Sequence, residues 1–108
     1  MTLLPVISEE NFKTQVLESK VPVLVEFGAE WCQPCKQLEP VLRQLEAQWA
    51  GKMRLVQVNV DDSLSLTQTY RVMGVPTVIL FVQGQPKERL SGFQPKDKLV
   101  AKFGPHLS

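Results

Sequence analysis

Two cysteines, Cys32 and Cys35, are the residues of this sequence best suited to do chemistry. They form one C-x-x-C pair, with no further cysteine for a disulfide framework or a four-cysteine zinc site. A structural disulfide between them would add little stability, because closing a loop of about four residues destabilises the unfolded chain by only about 2 kcal/mol. A zinc ion would need two more ligands, and the only histidine is His106. The spacing therefore favours redox cycling, in which the second thiol attacks a mixed disulfide held on the first.

The elements on either side of the pair predict where it lies. The apolar, β-branched run from Val23 to Phe27 is typical of a buried central strand. After the cysteines, apolar residues recur at helical spacing up to about Ala50, Gly51 ends the pattern, and Pro40 inside it predicts a kink. The sequence therefore places the C-x-x-C at the start of a long helix, directly after a central strand.

This placement predicts different roles for the two thiols. The free N–H groups and partial positive charge of a helix N-terminus favour a thiolate, so Cys32 is the expected nucleophile. Pro34 suits the first helical turn and stiffens the short ring, which keeps the Cys35 sulfur within reach. We expect Cys35 to be the resolving thiol and the Cys32 sulfur to be reachable by solvent at the helix tip.

The rest of the chain predicts a regular alternation of strands and helices. The predicted elements are a short strand before Ser8, an N-capped helix from Ser8 to about Lys20, a strand from Met53 to Val60, a helix from about Ser63 to Arg71, a hairpin of Val78–Val82 with Lys87–Leu90 around a turn at Gln83–Pro86, and a helix from Pro95 to about Phe103. The order is βαβαβαββα, which requires parallel crossovers early and an antiparallel hairpin late. We therefore expect an α/β fold with a central mixed five-stranded sheet flanked by four helices.

Length and composition exclude several classes of protein. A chain of 108 residues, 44% hydrophobic and 21% charged, is expected to form one folded domain over residues 1–108. The formal charge of +1 gives no electrostatic footprint for nucleic acid or an anionic membrane. The longest unbroken apolar run, Val78–Val82, is far too short to cross a bilayer. The first residues lack a basic segment and do not resemble a signal peptide, so we expect a cytoplasmic address, or an organelle interior if a presequence has been removed.

Glu26 is the most unusual residue outside the cysteines, because it lies in a strand that should be buried on both faces. One interpretation is a carboxylate that is paired with a neighbour or placed at the rim of the sheet. The other is a general base, with a pKa raised by burial, that deprotonates Cys35 when it attacks the mixed disulfide.

Three more residues near the pair have two interpretations each. Trp31 is equally suited to packing beside the helix and to contacting a partner. Pro76 is either an ordinary break before a strand or a cis peptide, and base rates alone favour the ordinary break. Lys36 could assist a thiolate, although projection into water is the more common arrangement, and His106 is expected to be a tail residue.

Taken together, these motifs resemble the thioredoxin family. The similarity rests on Trp31-Cys32-Gln33-Pro34-Cys35-Lys36, on the acid at Glu26, on Gly74-Val75-Pro76-Thr77, and on Gly84 and Gly92, all in one element order. It covers nearly the whole chain. A C-x-x-C alone is a weak signal, but this combination is specific.

The resemblance implies a function and a docking surface. Thioredoxins are electron donors that reduce protein disulfides, are regenerated by a thioredoxin reductase and use no bound cofactor, and no metal is implied. It also implies that Pro76 is a cis-proline facing the disulfide and that the Val75 backbone pairs with an extended substrate segment. The implied substrate-binding residues are Trp31, Gln33, Pro34, Val75, Pro76, Gly92 and Phe93. We expect a monomer whose partners are disulfide-containing proteins.

Three departures from the family pattern stand out. Gln33 replaces the glycine usual between the cysteines, a position that tunes redox potential. Gly28 replaces an aromatic residue and is expected to remove bulk behind the active-site loop. Glu26 and Gln57 replace a buried aspartate and a lysine, and loss of the cation should raise the pKa of Glu26.

Two other functions compete with disulfide reduction. One is a redox-dependent binding module, in which docking on a partner is the function and cycling is incidental. The other is a disulfide oxidant or isomerase. This alternative is disfavoured because the residues between the cysteines include no histidine that would stabilise a thiolate strongly.

Overall fold

The computed structural model describes residues 2–107, in which five strands form a single sheet. The strands are β1 (Val6–Ile7), β2 (Val23–Gly28), β3 (Arg54–Asn59), β4 (Thr77–Val82) and β5 (Gln85–Ser91). Their order is β1-β3-β2-β4-β5. β1, β3 and β2 pair in parallel, whereas β4 is antiparallel to both β2 and β5. The predicted mixed five-stranded α/β architecture is confirmed.

Three α-helices accompany the sheet in the described part of the chain. They are α1 (Gln33–Gln48), α2 (Leu64–Thr69) and α3 (Lys96–Phe103), and a 3₁₀ turn at Gly104–His106 follows α3. Pro40 lies inside α1, which continues past it to Gln48. Within residues 2–107, none of the helices combines the length and the apolar character that a membrane crossing requires.

The predicted first helix is much shorter than expected. The helical segment is Lys13–Leu17, a π-type turn closed by a 2.9 Å hydrogen bond from the Glu18 N–H to the Lys13 carbonyl. Ser8 does not cap it; instead the Ser8 N–H donates to the Asn11 side-chain oxygen at 2.8 Å. This bond satisfies a backbone N–H that would have no partner within a helix, so it does not by itself explain the later start of the helical segment.

The hairpin turn is also tighter than predicted. Gln83 and Gly84 both have positive φ, at 53° and 79°, and form a two-residue turn, so β5 already begins at Gln85. Pro86 is accommodated because β5 is an edge strand and the ladder shifts register beside it.

The buried central strand β2 places side chains on both faces of the sheet. All six of its residues are buried. Val23, Val25 and Phe27 pack into the core on one face, whereas Leu24 packs with Leu38 and Leu42 of α1 on the other. Because side chains alternate along a strand, Glu26 and Gly28 share the α1 face with Leu24. The acid predicted as a candidate base is therefore on the side of the sheet where α1 carries Cys35.

Candidate active site

The two cysteines lie at the start of α1 and are joined by a disulfide bond. Cys32 is the N-cap residue, and its Sγ accepts a hydrogen bond from the Cys35 N–H at 3.2 Å. Pro34 stands in the first turn, where no N–H is required. A sulfur in this position receives a helix N–H and faces the positive end of the helix dipole. The arrangement that would stabilise a thiolate at Cys32 is therefore present in the oxidised protein.

The sulfur atoms are more covered than the sequence predicted. Cys32 is 3% exposed and Cys35 is fully buried. Both pack with Ala29, and Val60 and Val75 lie against this small cluster. The expectation of an open sulfur at the helix tip is wrong for the oxidised state, because apolar neighbours enclose the disulfide. A partner must dock closely before its own sulfur can reach Cys32.

Glu26 is completely buried, not at the rim of the sheet. Its Oε1 accepts a hydrogen bond from the Gln57 side-chain Nε2 at 2.7 Å, across the β2–β3 register that pairs the two residues. Its Oε2 has no hydrogen-bond partner in the described part of the chain. Burial raises the pKa of Glu26 to about 7, the Gln57 hydrogen bond opposes the rise, and the charge of Glu39 adds to it. The carboxyl can therefore exchange a proton near neutral pH.

Gly28 brings the acid, the amide and the resolving cysteine together. A Cβ built on Gly28 would lie 3.2 Å from Gln57 Nε2, 3.3 Å from Glu26 Oε1 and 3.4 Å from Cys35 Sγ. We expected Gly28 to leave less bulk behind the active-site loop. Instead, the side chains of Gln57, Glu26 and Cys35 occupy the space next to it. Glu26 Oε1 and Cys35 Sγ therefore lie close to the same position.

Glu39 is a component of the site that sequence reasoning missed. It is 4% exposed, and its Oε2 accepts a hydrogen bond from Gln57 Nε2 at 3.2 Å. Its Oε1 accepts the Leu3 N–H at 2.7 Å. The signal was available, since Glu39 follows Leu38 on the apolar face of α1 and lies one helical turn after Cys35.

Of the residues implied for docking, Val75 packs against the cysteines and is half-buried, and Pro76 is buried. Trp31 is 68% exposed, and its indole N–H donates to Asp61 Oδ2 at 2.8 Å. The Val75–Pro76 peptide bond is cis, and the Pro76 carbonyl accepts the Gly92 N–H at 2.7 Å. Gln33, Pro34 and Phe93 are exposed as well.

A groove runs along the surface beside Trp31. It has a volume of about 190 Å³ and is lined by Trp31, Val60, Thr67 and residues 72–75. Met73 is 94% exposed there, which is unusual for so large an apolar side chain. Val60 and Met73 were not predicted as site residues, because only the folded chain brings them next to Trp31.

Of two further residues, Lys36 is exposed as expected, whereas His106 is placed differently from the expectation. His106 is not a free tail residue, because its Nε2 lies 2.9 Å from Glu88 Oε2 on β5. Lys36 is exposed, and it lines a small opening of about 10 Å³ together with Glu39 and Gln57. Among residues 2–107, no group of three histidine, cysteine or acidic side chains is arranged to hold a metal ion.

Comparison with known proteins agrees with this geometry. The family model described as Thioredoxin matches residues 4–104. A thioredoxin of Staphylococcus aureus (strain MW2) is 42% identical over 101 residues, covering 94% of this chain and 95% of that one. A thioredoxin of Rickettsia felis is 37% identical over 94 residues, covering 87% and 90%. Thioredoxin M4, chloroplastic, of Arabidopsis thaliana is 42% identical over 95 residues, covering 88% of this chain and 49% of that protein.

These matches favour disulfide reduction over a binding module or an oxidant. They extend over nearly the whole chain and include relatives of similar length. The reaction needs two closely spaced cysteines, and the chain carries such a pair at the start of α1. The chain belongs to the thioredoxin family and is a thiol-disulfide oxidoreductase of the protein-disulfide reductase type.

Proposed function

We propose that Cys32 and Cys35 reduce protein disulfides in two steps with fixed roles. The Cys32 thiolate attacks one sulfur of the target disulfide, forming a mixed disulfide and releasing the other target sulfur as a thiolate, which takes up a proton. Cys35 then attacks the Cys32 sulfur, the second target sulfur leaves, and two electrons have passed to the target. The observation that carries the assignment is the 3.2 Å hydrogen bond from the Cys35 N–H to Cys32 Sγ at the start of α1. It favours negative charge on Cys32 and not on Cys35.

Glu26 is the proposed base for the second step. Cys35 is fully buried, so its thiol cannot lose a proton directly to bulk water. The Glu26 carboxyl lies on the same side of β2 and approaches the same point beside Gly28. With a pKa of about 7, it is partly ionised at neutral pH and able to accept that proton.

The exposed residues around the disulfide form the proposed substrate surface. This proposed surface comprises Trp31, Gln33, Pro34, Gly92 and Phe93. The backbone of Val75, next to the cis Pro76, would pair with an extended segment of the target. The groove beside Trp31 adds apolar area for a side chain of the target. An extended, partly apolar segment next to a disulfide is therefore the substrate chemistry we propose.

The cellular setting follows from the same proposal. The chain would act as a single-domain monomer, with no nucleic acid or membrane partner, as an electron donor regenerated by a thioredoxin reductase. Its place would be the cytoplasm or the interior of an organelle. The near-neutral composition, with 12 basic and 11 acidic residues, supports the absence of polyanionic partners.

Reduction of insulin tests the function directly. With dithiothreitol as electron source, the protein should accelerate the appearance of turbidity well above the rate with dithiothreitol alone. The midpoint potential of the Cys32–Cys35 couple, measured in glutathione buffers, should be that of a reductant. No acceleration, or a potential as oxidising as that of a disulfide-forming protein, would contradict the proposal.

Removal of the Trp31 side chain should weaken substrate docking. Because Trp31 is 68% exposed and borders the groove, Trp31→Ala should lower kcat/KM for insulin by about tenfold, the effect of losing one aromatic anchor. The measurement is initial rate against insulin concentration. Val6→Ala provides the matched control, since Val6 is 55% exposed on β1 and does not line the groove. Equal losses in both variants would show that the groove has no part in docking.

A further inference from the structure

One amide joins the two buried carboxyl groups of the active-site region. Gln57 Nε2 has two hydrogens, and it donates to Glu26 Oε1 at 2.7 Å and to Glu39 Oε2 at 3.2 Å. With both donors engaged, the amide nitrogen and not the amide oxygen faces Glu26. Among residues 2–107, Gln57 is the only group that hydrogen-bonds the Glu26 carboxyl, and its orientation thus depends on Glu39.

Glu39 itself is held from a second side. Its other oxygen accepts the Leu3 N–H at 2.7 Å, and the residue is 4% exposed. The carboxylate is therefore fixed between the N-terminal segment and Gln57, whereas Glu26 Oε2 is buried and has no hydrogen-bond partner among residues 2–107. Two acids share one donor in a site where each burial is costly, which is unfavourable for stability alone.

The charged surroundings of this cluster are few. Glu39 and Gln57 line an opening of about 10 Å³, about the space that one water molecule requires. Lys36 and Glu30 line the same opening, and Glu26 Oε1 and Cys35 Sγ both lie within 3.4 Å of the position a Cβ on Gly28 would take. Lys36 and Glu30 are thus the charged side chains that line the opening with Glu39, and the chain's N-terminal amine acts on Glu30.

We propose that Glu39 is a positioning residue for the second step of the reaction: through Gln57 it fixes the hydrogen bond to Glu26 and sets the pH range in which Glu26 accepts the Cys35 proton. This rests on the proposed base role of Glu26. Glu39 acts in two opposite ways. Its charge disfavours ionised Glu26, and its hold on the Gln57 amide keeps a donor on Glu26, which favours the ionised form.

Two substitutions separate these effects. Glu39→Gln removes the charge but keeps one side-chain oxygen, which can still accept from the Gln57 amide; its NH2 group then replaces the oxygen that accepts the Leu3 N–H. That second acceptor is lost in both variants, so their difference reports on the Gln57 contact. Glu39→Met removes both charge and acceptor, so the Gln57 side chain is free to turn its oxygen toward protonated Glu26. Glu46→Gln is the matched control, because Glu46 lies on the exposed side of the same helix and pairs with Arg43 at 2.9 Å.

The second step can be followed with Ellman's reagent. Attack by Cys32 releases one thionitrobenzoate and leaves the other on Cys32, and Cys35 then releases the second in a separate stopped-flow phase. In Glu39→Gln, the midpoint of the pH profile of this second phase should move to lower pH, with a rate about two- to threefold higher near pH 6. The midpoint in Glu39→Met should lie above that in Glu39→Gln, and the Glu46→Gln profile should overlay that of the native protein.

Each outcome decides between the proposals. A Glu26→Gln variant with an unchanged second phase overturns the base role of Glu26 and the reaction role of Glu39 with it. An altered Glu26→Gln profile beside an unchanged Glu39→Gln profile overturns the role of Glu39 alone. Coincident profiles of Glu39→Gln and Glu39→Met show a pure charge effect and overturn positioning through Gln57. Urea unfolding of each variant establishes that the protein measured is folded at every pH used.

Discussion

Cys32→Ser will abolish disulfide reduction, whereas Cys35→Ser will complete the first step and stop there. A serine hydroxyl does not ionise near neutral pH, so the first change should lower the insulin reduction rate by roughly three orders of magnitude or more. The second change removes the resolving thiol but leaves the nucleophile at the helix start. It should therefore accumulate a covalent mixed disulfide with the target, close to one per protein molecule.

Mass spectrometry of the non-reduced mixture measures the trapped species, and insulin turbidity measures turnover. A Cys32→Ser, Cys35→Ser double variant is the control and should form no adduct. An adduct on Cys32→Ser and none on Cys35→Ser would reverse the assigned roles. Tight partner binding by the double variant, combined with no turnover by the native protein, would instead support a binding module.

The positions of the cysteines could be predicted because local patterns determine them. The run Val23–Phe27 has the composition of a central strand, and α1 keeps its apolar face from Leu38 to Leu45. A C-x-x-C between two such elements has to lie at a helix start. The same local information also located Glu26 as a buried acid, since apolar strand neighbours left no exposed side for it.

The bounds of the first helix could not be predicted from periodicity. The spacing of Phe12 and Val16 identified the apolar face, and both side chains are buried. Periodicity does not encode where a helical segment begins or whether it is of the α or the π type, and the structure has a π-type segment at Lys13–Leu17.

The environment of Glu26 could not be predicted because it depends on strand register and on packing. Gln57 faces Glu26 only because β2 and β3 pair with those residues opposite each other. Glu39 reaches the pair from α1, and Met73 joins Trp31 across a loop, through contacts between segments far apart in sequence. A single sequence fixes the amphipathic faces of its elements, but not which residues meet when those faces pack.

Glu26→Gln will stabilise the oxidised protein at neutral and alkaline pH but not at acidic pH. The pKa of Glu26 is raised from 4.5 to about 7 by burial. Below about pH 4.5 the carboxyl is protonated in the folded and the unfolded chain alike, so it adds no pH-dependent cost. Above about pH 7 it is ionised in both states, and the whole difference opposes folding, about 3 kcal/mol. Glutamine keeps an oxygen for the Gln57 amide and cannot ionise, so this cost disappears.

The free energy of unfolding in urea, measured for both proteins from about pH 4 to pH 8, checks this prediction. The difference should grow as pH rises through the window from 4.5 to about 7, and the melting temperature of the variant near pH 8 should be roughly 10 °C higher. Glu88→Gln supplies a control of opposite sign, because the hydrogen bond from His106 holds the pKa of Glu88 below its usual range. That variant should be less stable than the native protein at neutral pH, with the difference fading as pH falls. A gain in Glu26→Gln that is the same at every pH would mean that glutamine merely packs better, and that Glu26 does not hold the weakly acidic proton on which its role as base depends.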